Sequence, residues 1–104
     1  MNPAPTLPES LLRDAERNWG QPGLSYIAEH GGCYLVELHV PFGQDPASRN
    51  QIGNRYVIAH PVIHESKAWD GWCCHPRVLD GTNTGGTVSP EALEYFRNIL
   101  ALLP

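Results

Sequence analysis

The sequence predicts an α+β fold: a four-stranded antiparallel sheet, built from two hairpins, with an N-terminal and a C-terminal helix packed on one face. Two segments with the apolar spacing of amphipathic helices lie at opposite ends of the chain. Between them, Gly31-Gly32 and Asp70-Gly71 each separate two runs rich in apolar and aromatic residues, as hairpin turns do. A sheet with a helix at each end is the simplest two-layer packing of these elements.

A chain of 104 residues has room for one core. We therefore expect a single domain over residues 6–104, preceded by a proline-rich, flexible N-terminus over residues 1–5. Thr6 and Glu9 have the spacing of a capping box, so the first helix is expected to begin after Thr6 and to stop at Gly20. Its buried side should carry four apolar residues, namely Leu11, Leu12, Ala15 and Trp19.

The first hairpin is expected to turn at Gly31-Gly32, because a two-residue turn of this type needs positive φ at both positions. Counting outward from the turn gives three pairs: His30 with Cys33, Ala28 with Leu35, and Tyr26 with Glu37. The core side of this hairpin is then expected to be formed by Ile27, Tyr34, Val36, Leu38 and Val40. A polar loop of about a dozen residues, 43–54, follows.

The second hairpin is expected to turn at Asp70-Gly71, which would place Trp69 opposite Trp72. Its first strand is apolar on both sides near the start, and Pro61 indicates a bulge, a bend or an edge position. On this register one face carries His64, Ser66, Cys73, His75 and Arg77, and the other carries Trp69, Trp72, Cys74 and Val78.

The last helix is predicted from its cap and its apolar stripe. Ser89 has the position of an N-cap, and Pro90 suits the first helical position because that amide needs no partner. The preceding Gly- and Thr-rich loop, 80–88, is expected to be a plain connector, since it lacks the lysine and spacing of a phosphate-binding loop. The stripe consists of Leu93, Phe96, Ile99, Leu100 and Leu103.

Composition and charge restrict the classes of function. The net charge of −4 comes from singly scattered acidic residues, and the seven Lys and Arg residues are scattered too, so the sequence does not favour direct nucleic-acid binding. No apolar run is long enough to span a bilayer, and the N-terminus lacks the pattern of a secretion signal. With an odd number of cysteines, three, we expect reduced thiols and a cytoplasmic protein.

Cysteine and histidine residues give two candidate chemical sites. On the second hairpin, His60, His64, Cys73 and His75 have side chains that zinc prefers, although their spacing matches no structural zinc module. At the first turn, His30 and Cys33 could form a base and a nucleophile, but no oxyanion-stabilising feature accompanies them. For both groups a structural role is the preferred interpretation, so enzymatic activity is not favoured and no cofactor is expected. The alternative is a zinc- or thiol-dependent protein that uses the group on the second hairpin.

The preferred functional hypothesis is a small protein-binding module. Such a protein would act as a regulator, an inhibitor (encoded by a phage or mobile element, for example) or an assembly subunit by occupying a surface of another protein. The predicted contact is the tip of the second hairpin, at Trp69, Asp70 and Trp72, because aromatic anchors dominate interface energetics. A homodimer, formed through the last helix or an edge strand, is compatible with this hypothesis and with the zinc alternative.

Overall fold

The computed structural model describes residues 6–49, 52–63, 70–75 and 88–103. In chain order the elements are helix α1 (Glu9–Asn18), strands β1 (Leu24–His30) and β2 (Cys33–Leu38), short helices α2 (Pro46–Arg49) and α3 (Ile52–Arg55), strands β3 (Tyr56–Ile63) and β4 (Asp70–His75), and helix α4 (Pro90–Leu102). The strands form one antiparallel sheet in the order β1-β2-β3-β4. This confirms the predicted class, sheet and terminal helices. The predicted flexible segment, residues 1–5, lies outside the described residues.

The two helices lie on opposite faces of the sheet, which corrects the predicted packing on one face. Leu35 of β2 is buried in a cluster with Phe96 and Leu100 of α4. Its neighbour Val36 is buried in a second cluster with Leu11 of α1. Neighbouring strand residues point to opposite faces, so each helix covers a different one. The physical reason is that β2 and β3 are apolar on both sides, and each side must be shielded from water.

Helix α1 ends as predicted but begins later than predicted. Pro8, rather than Thr6, occupies the N-cap position, and no side chain caps the helix there, so the predicted capping box is wrong. At the other end, the Gln21 amide donates to the Ala15 carbonyl (3.0 Å), and Gly20 has a φ of 66°. A left-handed glycine with this reverse hydrogen bond is a common way to end a helix.

The buried side chain of Gln21 joins the end of α1 to the end of β2. Its Nε2 donates to the Val40 carbonyl (2.8 Å), and its Oε1 accepts from the Val40 amide (3.1 Å). Both hydrogen-bonding groups of the side chain are therefore satisfied by the backbone of one residue, which makes its burial tolerable. This pair of bonds holds the chain beyond β2 against the helix terminus.

The first hairpin turns at Gly31-Gly32 as predicted, with φ values of 58° and 86°. The predicted pairs of His30 with Cys33 and Ala28 with Leu35 are confirmed. A β-bulge between Tyr26 and Ala28 then shifts the register, so Tyr26 pairs with Val36 and Glu37 pairs with Ser25. The predicted core side forms only one of two buried faces. Val36 and Leu38 are buried as predicted, but Leu35 on the other face is buried too, and Val40 is exposed.

The described residues of the connection between β2 and β3, 43–49 and 52–55, include two helical turns rather than only a plain loop. Asp45 Oδ1 accepts from the Ser48 amide (2.8 Å), which caps the turn that contains α2. These hydrogen bonds from Ser48 lower the pKa of Asp45. Asn54 Nδ2 donates to the Ser48 carbonyl (2.8 Å), and the Asn54 carbonyl accepts from the Phe42 amide (2.8 Å). The connection therefore holds its shape through its own polar groups.

The predicted turn of the second hairpin is wrong, because Asp70 and Gly71 lie within β4. The register places His60 opposite Cys73 and Pro61 opposite Trp72, so Trp72 does not pair with Trp69. The connection between β3 and β4 consists of residues 64–69, outside the described residues. The predicted sharing of one face by Trp72 and Cys74 is confirmed, since both pack against the cluster under α1.

Pro61 fits into β3 because β2 has already ended there. The ladder between β2 and β3 runs only from Tyr56 to Ala59 on β3. The Trp72 amide, opposite Pro61, donates to a side chain of α1 instead of to β3. Proline therefore sits where a missing N–H removes no ladder bond from either neighbouring strand, as expected of proline at an edge position.

Helix α4 matches its prediction in cap and in stripe. Ser89 Oγ accepts from the Ala92 amide (3.1 Å), and Pro90 is the first helical residue. Phe96 and Leu100 are buried against the sheet. The remaining stripe residues pack half-buried around them, and these are Leu93, Ile99 and Leu103.

Candidate functional site

Of the three residues of the predicted contact at the second hairpin, the structure describes the side chain of Trp72 alone. Trp69 and the side chain of Asp70 lie outside the described residues. Trp72 is half-buried and packs against α1: its amide donates to Asp14 Oδ2 (3.0 Å), and its Nε1 donates to Ser10 Oγ (3.1 Å). Its ring also lies edge-on to Tyr34, with centroids 5.9 Å apart. The indole therefore attaches β4 to α1, and partner binding at this residue stays a prediction.

Two of the four predicted metal ligands, His60 and Cys73, lie opposite each other in the sheet. His60 and Cys73 are direct cross-strand partners, and Ile58 pairs with His75, so the backbone puts His75 on the same side one pleat further along β4. His64 and the side chain of His75 lie outside the described residues. Among the side chains that are described, no three histidine, cysteine or acidic groups come together as a metal site.

His60 is buried, with 6% of its surface exposed, and this burial lowers its pKa. Its imidazole is therefore neutral near pH 7, which is the form that ligates metals. Cys73 is exposed at the surface. A neutral imidazole directly opposite an accessible thiol is compatible with two of the four ligands that zinc usually takes.

The structure brings His30 and Cys33 together, but it does not activate the thiol. Cys33 is buried, and desolvation, together with the negative charge of Glu29, raises its pKa. A nucleophilic cysteine needs the opposite shift. The His30 ring packs against Tyr95, with centroids 5.2 Å apart, and its buried Nδ1 has no hydrogen-bond partner among the described residues. The corner is thus a packed end of the hairpin.

An open groove of the described structure lies between α1 and β1. It has a volume of about 470 Å³. We call it the α1/β1 groove, and its lining residues are Glu9, Leu12, Arg13, Glu16, Pro22, Gly23, Leu24 and His39. A second depression of about 240 Å³ continues it along the same strand, lined by Thr6, Leu7, Leu12, Leu24 and Tyr26. Leu12 and Leu24 border both parts.

The groove exists because α1 is displaced toward β4. Ser10 and Asp14 attach the helix to Trp72, at the far side of the sheet from β1. Leu12, on the other flank of the helix, is left 38% exposed above β1. Sequence reasoning missed this site because Leu12 was assigned to the buried side. The adjacent pair Leu11-Leu12 was the available signal, since the two positions differ by about 100° around a helix.

His39 closes one end of the groove. Its Nε2 is 3.0 Å from Ser25 Oγ, and its ring lies over Gly23 so closely that a Cβ there would be 2.7 Å from Nδ1. Only glycine permits this contact. A serine bonded to a histidine is also the first half of a hydrolytic triad, but among the described residues no carboxylate is hydrogen-bonded to His39 to orient it. We therefore assign the pair a structural role.

Comparison with models of protein families, with curated proteins and with solved structures finds no match to this chain. Inference about its function therefore depends on its own residues. Within the described part of the chain, no helix has the length and apolar character needed to cross a membrane.

Proposed function

We propose that the protein is a small protein-binding module that occupies a surface of a larger partner as a regulator, an inhibitor encoded by a phage or mobile element, or an assembly subunit. The observation that carries this proposal is the α1/β1 groove, because it combines an exposed apolar residue, Leu12, with a strand that has no neighbour on its outer side among the described residues. Open apolar surface next to an unpaired strand is typical of recognition sites.

The groove supports this function better than the predicted contact at Trp69, Asp70 and Trp72. The amide and the indole N–H of Trp72 already have partners within the chain, and its ring contacts Tyr34. A partner that used Trp72 as an anchor would compete with these contacts. The exposed surface of Leu12, by contrast, borders both parts of the groove, where a partner can reach it.

We place this activity in the cytoplasm, with the thiols reduced. Cys33, Cys73 and Cys74 are all free cysteines in the structure. An unpaired, exposed thiol such as Cys73 is more compatible with a reducing compartment than with an oxidising one.

The experiment compares two leucine variants of equal chemistry. Leu12→Asp introduces a charge into the groove, whereas Leu102→Asp introduces the same charge on α4 at a residue that is 85% exposed. Both variants should keep the circular dichroism spectrum of the wild type. In affinity capture from the native host, Leu12→Asp should lose the partner and Leu102→Asp should keep it.

If both variants retain the same partner, the binding site lies on a surface other than the α1/β1 groove. The first alternative to examine would then be the predicted contact around Trp72.

A second candidate function, zinc binding, is favoured by the register between β3 and β4. Directly opposed residues have Cβ atoms about 5 Å apart, a suitable separation for two ligands of one ion. We propose His60 and Cys73 as these ligands, completed by His75 and His64, with zinc joining the strands or activating water.

The test is the mass of the untagged protein under native conditions beside a denatured control. Zinc binding would add one ion per chain to the wild type and none to the double variant His60→Ala/Cys73→Ser. A wild-type mass without metal after incubation with zinc would reject this second function.

A further inference from the structure

The α1/β1 groove has an apolar part and a polar part. Around Tyr26, the lining is mainly Leu7, Leu12 and Leu24, with Thr6 at the edge. Toward the start of β1, the lining becomes charged through residues of α1. The two parts are adjacent, because Leu12 and Leu24 belong to both. A ligand that follows the groove would therefore meet an apolar surface and a charged surface in succession.

The polar part carries an excess of negative charge. Arg13 donates to Glu9 Oε1 across one helical turn (3.2 Å), so these two charges offset each other. Glu16 is exposed, and no described cation pairs with it. The uncompensated charge at this end is therefore that of one carboxylate. A complementary ligand would place a cation there.

The strand below the groove can accept a further strand. On the outer side of β1, no strand pairs with it among the described residues. Lysine and proline are two residues that commonly block natural edge strands, and β1 contains neither, although it does contain the bulge between Tyr26 and Ala28. At the opposite margin of the sheet, by contrast, Asp14 already accepts from the amide of Trp72 on β4.

We propose that the α1/β1 groove binds an extended segment of the partner protein that carries an apolar side chain and a lysine or arginine two residues apart. The segment adds to β1 as a fifth strand. Residues two apart in a strand share a face at a separation of about 7 Å, so both side chains reach the groove together. The apolar one covers Leu12 and Leu24, and the cation lies beside Glu16. This inference rests on the proposed protein-binding function and names its ligand.

A second copy of the chain is a poorer occupant of the groove than a foreign segment. Pairing of two β1 strands would bring only the sequence LSYIAEH to the groove, which contains Glu29 but no lysine or arginine. The carboxylate of Glu16 would then receive no lysine or arginine from the paired strand of the second copy.

The experiment titrates the isotope-labelled protein with seven-residue peptides of a Thr host. The test peptides carry Leu and Lys two residues apart, in both orders, and the comparison peptide carries Leu and Glu. Backbone amide shifts of β1 and Leu12 should saturate with a Leu/Lys peptide and require about threefold more of the Leu/Glu peptide. N-methylation of the bound peptide's backbone should weaken binding about tenfold, because strand pairing loses a hydrogen bond.

Two variants separate the contributions of charge and of apolar contact. Glu16→Gln should abolish the preference for Lys over Glu, whereas Glu94→Gln, an exposed carboxylate on α4, should retain it. Leu12→Asp should remove saturable binding of every peptide.

The outcomes that overturn the inference differ from those that overturn the proposed function. If no peptide shifts β1, yet Leu12→Asp still loses the cellular partner, the partner presents a folded surface and the extended-segment inference fails alone. Shifts of β1 on simple dilution of the free protein would identify a second copy as the occupant and also overturn it. If Leu12→Asp keeps the cellular partner, the function proposed for this groove fails.

Discussion

The two outer strands of the sheet, β1 and β4, differ in how helix α1 covers them. On β4, Trp72 donates its amide to Asp14 and its indole N–H to Ser10, so helix α1 closes this margin with side chains (3.0 and 3.1 Å). On β1, helix α1 makes no such contact among the described residues, and an open groove separates the two. One helix cannot close both margins of a four-stranded sheet, since strands lie about 4.8 Å apart.

The difference between the margins shows how one anchoring residue positions a helix. Trp72 supplies apolar area, a ring contact with Tyr34 and two donors, all on one side of the sheet. Tyr26 continues the same row of aromatic rings across β1, at 6.2 Å from Tyr34, but it stands next to open space. The closed margin at β4 and the open groove at β1 are therefore both consequences of where α1 packs on the sheet.

The strongest test of this comparison replaces the aromatic residue at each margin. Trp72→Ala should reduce the free energy of unfolding by about 3 kcal/mol, because it removes a half-buried ring and leaves the contacts of Ser10 and Tyr34 unfilled. Tyr26→Ala should cost only about 1 kcal/mol, as it loses mainly one edge-to-face contact. Urea unfolding followed by circular dichroism measures both values.

Equal losses for the two variants would mean that β1 is held as firmly as β4, which would contradict the difference between the margins. If Trp72→Ala folds with unchanged stability, the fold does not depend on the indole. Trp72 of the wild-type protein would then be available for contact with a partner.

The next test concerns the carboxylate that closes the β4 margin. Asp14→Ala should destabilise the fold by about 1 to 2 kcal/mol, because the Trp72 amide loses a charged acceptor. Glu16→Ala, two residues later on the same helix, should change stability by less than about 0.5 kcal/mol. Amide hydrogen exchange at Trp72 should accelerate only in the first variant, and acceleration in both would indicate general fraying of α1.

The elements that depend on local signals were predictable from the sequence. Ser89 and Pro90 define the start of α4 by the chemistry of a helix N-terminus, and Gly31-Gly32 fixes the first turn by its positive φ values. Neither feature needs information from distant residues. The burial of Phe96 and Leu100 also follows from their spacing along the helix.

The second hairpin was not predictable in this way, because its register is decided by distant contacts. Asp-Gly is a strong turn signal, but here Asp70 and Gly71 are strand residues and Trp72 is placed by its contacts with α1, about sixty residues away in the chain. The opposite placement of the helices had a visible signal, since β3 is apolar on both sides at Val57 and Ile58. A strand of this kind requires cover on both faces.

The candidate site was missed for a related reason. Spacing alone places Leu11 and Leu12 within one apolar stripe, and it does not say which margin of the sheet the helix will approach. Only the attachment of α1 to Trp72 leaves Leu12 over the groove.

A further test examines the two sides of β4 through its adjacent cysteines. Cys74 lies toward α1, where burial raises its pKa to about 12, whereas Cys73 is exposed. Near pH 8 the thiol of Cys74 is therefore almost entirely protonated. Iodoacetamide should add one group quickly, at Cys73, and further groups only after denaturation, when Cys33 also becomes accessible. Intact mass and peptide mapping identify the sites.

Rapid labelling of Cys74 in the folded protein would contradict this assignment of the two sides of β4, and the register between β3 and β4 with it.

The burial of Cys74 also predicts a loss of stability at high pH. The unfolded thiol ionises near its usual pKa of 9.0, while the folded one stays protonated, so stability should decline from about pH 9 toward pH 12. Cys74→Ala should flatten that decline.

The smallest expected effect concerns His60, on the strand next to β4. Burial lowers its pKa below 6.5, so the unfolded chain takes up a proton at a higher pH than the folded chain does. This contribution to stability is present above pH 6.5 and is lost as the pH falls below that value. His60→Gln should flatten the dependence of stability between about pH 7 and pH 5, while His39→Gln, at the exposed end of the groove, should retain it. An unchanged slope in His60→Gln would mean that His60 is solvated in the folded protein, and the face of the sheet that His60 shares with Cys73 would then be more open than its 6% exposure indicates.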